Sequence, residues 1–189
     1  GAVQLKNFVG SGTCTISGSA SAIVSVTGTH AISASGITSL WVIGGLRLQT
    51  TTLGSGLNAD KKSLVTLSGT NFGACASAHI ASTGDSTIYI TASYAISGGA
   101  SGHIVANLGQ VVFSGGITIT LTGTPAFSAS FIYAPVASFI NAQSLTFTGS
   151  ATGKRHTVNY NSVVLSNGGG ANYFPGNVAG TTATGGQYA

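Results

Sequence analysis

Ala76-Ser77-Ala78-His79-Ile80-Ala81 returns 24 residues later as Ala100-Ser101-Gly102-His103-Ile104-Val105, with a looser third copy at Ala129-Ser130-Phe131-Ile132. A short motif that recurs at a fixed interval of tens of residues is the mark of a stacked-repeat fold. Some 14 or 15 residues after each copy comes an apolar pair split by one residue: Tyr94 and Ile96, Ile117 and Ile119, Leu145 and Phe147. Extending the frame both ways adds Leu46 and Leu48, a weak coil at Asn71 and Gly73, and Val163 and Leu165. The mean step between first members is about 23 residues. That length suits one coil of a parallel β-helix, whose short strands stack on the next coil at about 4.8 Å. Helical repeats are longer, and the leucine-asparagine frame of leucine-rich repeats is missing.

Alternation within the coils agrees. Ile117-Thr118-Ile119-Thr120-Leu121-Thr122 sends three apolar side chains to one face and three threonines to the other, and Leu145-Thr146-Phe147-Thr148 repeats the pattern one coil on. A flat sandwich explains the alternation but not the recurrence. The expected fold is all-β: a right-handed parallel β-helix of about 23 residues per coil with an irregular C-terminal cap. Six coils make a rod of about 30 Å. Residues 1–38 read as N-terminal irregular coils containing strand-like patches such as Ala22-Ile23-Val24-Ser25-Val26, 39–167 as the regular solenoid, and 168–189 as a cap and trimer-contact tail. In that tail Asn172-Tyr173-Phe174-Pro175-Gly176 would lay aromatic rings across the open end.

Composition supports the same class. Only 4% of the 189 residues are charged, against roughly 25% in an average domain. Disorder needs low hydrophobicity and many charges, whereas 43% of this chain is hydrophobic. Glu is absent, so Ser, Thr, Asn and Gly must form the outer surface, and these with Val suit strands and turns rather than helices. The 29 glycines read as frequent turns.

The net charge of +4 comes from Lys6, Arg47, Lys61, Lys62, Lys154 and Arg155, which are scattered rather than gathered into the stripe that nucleic acid requires. No run approaches the roughly 20 apolar residues of a membrane span, so membrane insertion is not expected. The N-terminal residues lack a signal peptide's apolar stretch, and Lys6 stands where a myristoylation motif wants Ser or Thr. With no Met anywhere, a processed chain or a fragment is expected. Cys14 and Cys75 have no zinc-like spacing and read as two buried thiols or as a disulfide stapling neighbouring coils.

The run Gly149-Ser150-Ala151-Thr152-Gly153-Lys154-Arg155, then Gly168-Gly169-Gly170-Ala171-Asn172-Tyr173-Phe174-Pro175-Gly176-Asn177 and Ala179-Gly180-Thr181-Thr182-Ala183-Thr184-Gly185-Gly186-Gln187-Tyr188, resembles the C-terminal part of the parallel β-helix tail fibres and tailspikes of bacteriophages and prophages. The repeat at 63–148 looks similar as well, so the resemblance covers about the last two-thirds. It implies a homotrimer on the virion or otherwise extracellular, in contact with other virion proteins and with a host surface glycan. About activity it implies little, because such helices serve as shafts, adhesins and glycan depolymerases alike.

Few residues offer chemistry. Glycan cleavage uses two carboxylates about 5–9.5 Å apart, and Asp60 and Asp85, 25 residues apart, are the one candidate pair. Both sit in turn-like sequence, where Asp ordinarily bonds its own backbone. His30, His79, His103 and His156 have no acidic companions, and Phe131 replaces His in the third repeat copy. The expectation is a packed column of His79, His103 and Phe131 with no metal and no cofactor. Trp41, Tyr89, Tyr133 and Tyr160 are candidate sugar-stacking rings. One outward column reads Arg47, Phe72, Ala95, Thr118, Thr146 and Val164. It is too mixed for an ice-binding face, and its apolar members Phe72, Ala95 and Val164 point to a contact between subunits.

Overall fold

The computed structural model describes residues 2–6 and 12–189. Among them there is no helix, and the chain winds through about seven turns of a parallel β-solenoid at about 24 residues per turn. Each complete coil contributes one strand to each of three faces. The first coil holds β1 (Val3–Lys6), β2 (Cys14–Ser17) and β3 (Ile23–Val26), and the second β4 (Ile32–Ser35), β5 (Leu40–Ile43) and β6 (Arg47–Thr50). Then come β7 (Leu57–Asp60), β8 (Leu64–Ser68) and β9 (Asn71–Phe72), followed by β10 (Ala78–Thr83), β11 (Thr87–Ile90) and β12 (Tyr94–Ile96). The next two coils are β13 (Ala100–Asn107), β14 (Gln110–Phe113), β15 (Thr118–Leu121), and β16 (Ala126–Val136), β17 (Phe139–Asn141), β18 (Thr146–Thr148). The end is built from β19 (Thr152–Gly153), β20 (His156–Val158), β21 (Val163–Leu165), β22 (Thr181–Thr182) and β23 (Gln187–Tyr188).

The first face runs β1-β4-β7-β10-β13-β16-β20-β22, with β19 beside β16, and the second runs β2-β5-β8-β11-β14-β17-β21-β23. The third runs β3-β6-β9-β12-β15-β18 and stops there. The ladders pass without interruption through 38/39 and, on the first two faces, beyond 168. Residues 168–180 form the irregular part of the tail before β22 resumes the first face. Tyr173 and Phe174 there pack on Phe147, at ring separations of 5.6 and 6.0 Å. Phe174 is 1% exposed, so the tail closes the core.

The strand alternation falls as the sequence reading expects. Ile117, Ile119 and Leu121 are buried, Thr120 and Thr122 are exposed, and Thr118 pairs in register with Thr146. Elsewhere the third-face frame slips. Tyr94 stands beside Ile119, not Ile117, because its partners follow the inward column Val24, Leu48, Phe72, Ile96 and Leu121. The outward column of Phe72, Ala95 and Val164 is therefore overturned: Phe72 and Val164 are 1% and 0% exposed. Phe72 replaces aliphatic side chains in the inner column, and Val164 belongs to the second face, where it lies beside Ile140. Longer coils hid this, since Thr118 and Thr146 are paired 28 residues apart while most pairs lie near 24.

The corner between the first two faces is built the same way on coil after coil. Lys62, Asp85, Leu108, Ala137 and Asn161, each two residues ahead of a second-face strand, all have positive φ. Backbone bonds stack the corners, with Leu108 N–H donating to Val136 O at 3.0 Å and Ala137 N–H to Tyr160 O at 2.9 Å. The next position inward is Ser63, Ser86, Ser138 or Ser162, all buried, and their hydroxyls are satisfied within the stack: Ser63 N–H donates to Ser86 Oγ at 3.0 Å and Ser138 N–H to Ser162 Oγ at 3.2 Å. At the remaining corner, that of Leu108, Gly109 fills this place because a Cβ there would collide with Ser82. The left-handed conformation costs a residue with a Cβ about 1–2 kcal/mol, part of which glycine's greater freedom in the unfolded chain offsets. Leu108→Gly removes a side chain that packs little, being 49% exposed, and is expected to raise stability by about 0.5 kcal/mol in urea denaturation.

Candidate functional site

The three outer faces differ in chemistry. The third is hydroxyl- and amide-rich, cross-linked by Gln49 Nε2 donating to Ser25 Oγ at 3.1 Å, Ala95 N–H to Asn71 Oδ1 at 2.8 Å and Thr148 Oγ1 to Thr120 Oγ1 at 3.1 Å. It carries Arg47 as its one charge among the described strands. The second face carries no charged residue in any of its strands. Its outward column is Trp41, Thr66, Tyr89, Val112, Asn141 and Leu165, flanked by Leu64, Thr87, Gln110, Phe139 and Val163. Trp41, Ile43, Leu64 and Tyr89 are all 36–42% exposed. Thr66, Thr87, Gln110 and Asn141 interleave with them, and Ile23 on the third face is also 46% exposed, so what marks the second face is four exposed large apolar side chains on strands that carry no charge, the character of a contact surface.

Of the candidate aromatic rings, Trp41 and Tyr89 share this face two strand spacings apart. Tyr133 lies half-buried on the first face between Val105 and Thr157, and Tyr160 is exposed at the corner. The four do not converge on one platform. Asp60 ends β7, and the ladder sets Ser82 beside Ala59, so that Thr83 rather than Asp85 comes level with Asp60. Asp85 sits exposed in the following turn with φ 59°. Among the described residues no three His, Cys, Asp or Glu side chains gather as metal ligands. Cys14 and Cys75 are free thiols, and burial pushes that of Cys75 up to about 11.

The histidines enter the core. His79 and His103 are fully buried at equivalent positions of β10 and β13, and Phe131 of β16 continues the column, with ring centroids 5.3 and 4.8 Å apart. The column expected from the repeat is present, with its rings edge-on and tilted, at 66° and 39°, rather than face to face. It also holds a polar chain that the repeat gave no hint of. Tyr94 Oη lies 2.6 Å from His103 Nε2, and His103 Nδ1 lies 3.1 Å from His79 Nδ1. With both rings neutral the chain runs in one of two senses, from Tyr94 O–H through His103 to His79 Nδ1 or from His79 Nδ1–H through His103 to Tyr94 Oη, and in either His79 Nε2 lacks a partner. Burial pushes His79 down to about 4, against a smaller upward pull from the carbonyls of Gly73, Gly99 and Gly98, none of which completes a hydrogen bond to Nε2. His103 is driven well below the usual range by burial and by His79. His30, whose Nδ1 accepts from Ser55 N–H at 2.9 Å, and His156 are lowered mainly by burial too.

Two clefts open at the C-terminal end. One, of about 520 Å³, lies where the third face stops, between β18 and the segment 172–176, with Arg155 in its wall. The other, of about 710 Å³, is the hollow of the last coil, where His156 stacks on Tyr188 at 4.0 Å.

The fold and its surfaces define the class: a β-solenoid with a buried histidine column and one outer face whose strands carry no charge and expose Trp41, Ile43, Leu64 and Tyr89. No protein-family model matches the chain, and no curated protein or solved structure shows significant similarity to it.

Proposed function

We propose that this chain is a structural segment of a virion fibre or spike, a rigid shaft that assembles as a parallel homotrimer and stands at or near the host cell surface. The observation that carries the reading is the second face. A 189-residue chain with 4% charge keeps every charged residue out of the strands of one whole ladder and places Trp41, Ile43, Leu64 and Tyr89 there. Burying such a face against copies of itself removes it from water, and a closed ring does so without open-ended growth. The choice of three rests on the resemblance to phage fibres. The continuous ladders suit a shaft, because each coil is held by its neighbours along the whole length. A bacterial adhesin would place the same demands on the solenoid. A glycan depolymerase is the less favoured alternative, since the ladder offsets Asp60 from Asp85.

Light scattering on the folded protein at micromolar concentration is expected to give three times the 18.5 kDa chain mass, and Trp41→Lys with Tyr89→Lys to give one. A wild-type monomer contradicts the assembly. A dimer retains the face and removes the three-fold choice.

A further inference from the structure

We propose that the cleft beside β18 binds an anionic saccharide unit, a sugar ring carrying one carboxylate or phosphate, with Arg155 holding the anion. The proposal stands independently of the fibre reading. The cleft exists because the third face ends at β18 while the first two faces run on through β20, β22, β21 and β23, leaving a step that the segment 172–176 walls on its far side. Its volume of about 520 Å³ falls within the roughly 300–1,000 Å³ of small-molecule sites.

Three kinds of group meet in it. Phe147, Tyr173 and Pro175 supply apolar surface, the two rings standing 5.6 Å apart at 85°. Thr146, Ser150 and Asn172 are exposed and supply hydroxyl and amide groups. Parallel strands aim the backbone groups of successive residues at opposite neighbours. Thr146 N–H donates to Ile117 O at 2.9 Å, so the Phe147 N–H and C=O face the step. Leu145 N–H points the same way and is already taken by Tyr173 Oη at 2.8 Å.

The charge in the wall is uncompensated. Arg155 Nε is buried with no hydrogen-bond partner. The chain's two side-chain carboxylates are remote: Asp60 on β7 is four strand spacings from β20 along the first face, and Asp85 follows β10, three spacings away, at about 4.8 Å each. A guanidinium in a partly dry wall gains most from a forked bond to an anion. An extended peptide fits less well, because β18 has one residue's backbone pair open to it. A sugar ring matches the apolar floor and the short polar rim, and its anion matches Arg155.

The test is calorimetric titration and ligand-detected NMR of the intact chain with a methyl hexuronide, a hexose phosphate and a neutral methyl hexoside. The acidic sugars are expected to bind and the neutral one to bind at least about tenfold more weakly. Arg155→Gln is expected to reduce acidic-sugar affinity about tenfold or more. Thr146→Trp, at an exposed position, fills the cleft and should abolish binding even if the Arg155 variant does not fold. Binding of one acidic sugar identifies its anion as the ligand group, and binding of both identifies the shared charge. No binding by either, equal binding of the neutral sugar, or binding unchanged by Thr146→Trp overturns the proposal.

Discussion

Acidification from about pH 7 to about pH 4 is expected to remove roughly 3 kcal/mol of folding stability through His79 alone. In the folded chain burial holds His79 down at about 4, while in the unfolded chain it titrates near 6.5. The unfolded state therefore binds more protons between these values, and stability is fully present above the unfolded value and lost as pH falls toward the folded one. About 2.5 units at about 1.4 kcal/mol per unit set the magnitude. His103, His30 and His156 are depressed in the same direction and add to the loss. Replacing His79 by Phe, the residue the column already accepts at 131, should flatten the profile. Its stability at neutral pH should fall modestly, because His103 Nδ1 loses its hydrogen-bond partner. Urea denaturation of both proteins across this range checks it. An equal acid loss in the variant would show that His79 is not a source of the pH dependence.

Phe131→Ala is expected to cost about 3–5 kcal/mol, the range for emptying a buried aromatic site. Phe131 is 1% exposed, and its ring meets His103 at 4.8 Å, Phe127 at 5.1 Å, Phe147 at 5.7 Å and Phe174 at 6.3 Å. It thus joins the histidine column to the tail that closes the core. In a solenoid each coil is stabilised chiefly by its neighbours, so the damage should be regional. Hydrogen exchange should show lost protection in β16, β18 and β20 and little change in β4 to β6. Thr120→Ala on the water-facing third face should change stability by no more than about 0.5 kcal/mol. Uniform loss of protection along the rod, or a cost below about 1 kcal/mol, would contradict the packing described.

The solenoid was legible because its two signals, alternation within a strand and recurrence between coils, survive in residues such as Ile117 to Thr122 and His79 to Ile104. Register was less legible where coil length changes. Val163 and Leu165 show the same split apolar pair on the second face that Leu145 and Phe147 show on the third, and alternation alone does not say which face a strand belongs to. The serine stack at the first corner had a readable signal, Ser63, Ser86, Ser138 and Ser162 each directly ahead of a second-face strand. Serine's ordinary place in turns masked it. The cleft at Arg155 had none, since it arises from one face ending a coil early and from a tail folding back, both long-range events. The Tyr94–His103 bond likewise joins residues that share no repeat position.

The proposed burial of the second face between copies of this chain is reported directly by Trp41, the single tryptophan. In an isolated chain its side chain is 40% exposed. Fluorescence quenching by acrylamide, followed from nanomolar to micromolar protein, is predicted to show Trp41 becoming protected, with blue-shifted emission, as the assembly forms. Emission that stays red-shifted and equally quenchable at every concentration of the folded protein would contradict burial of this face between copies.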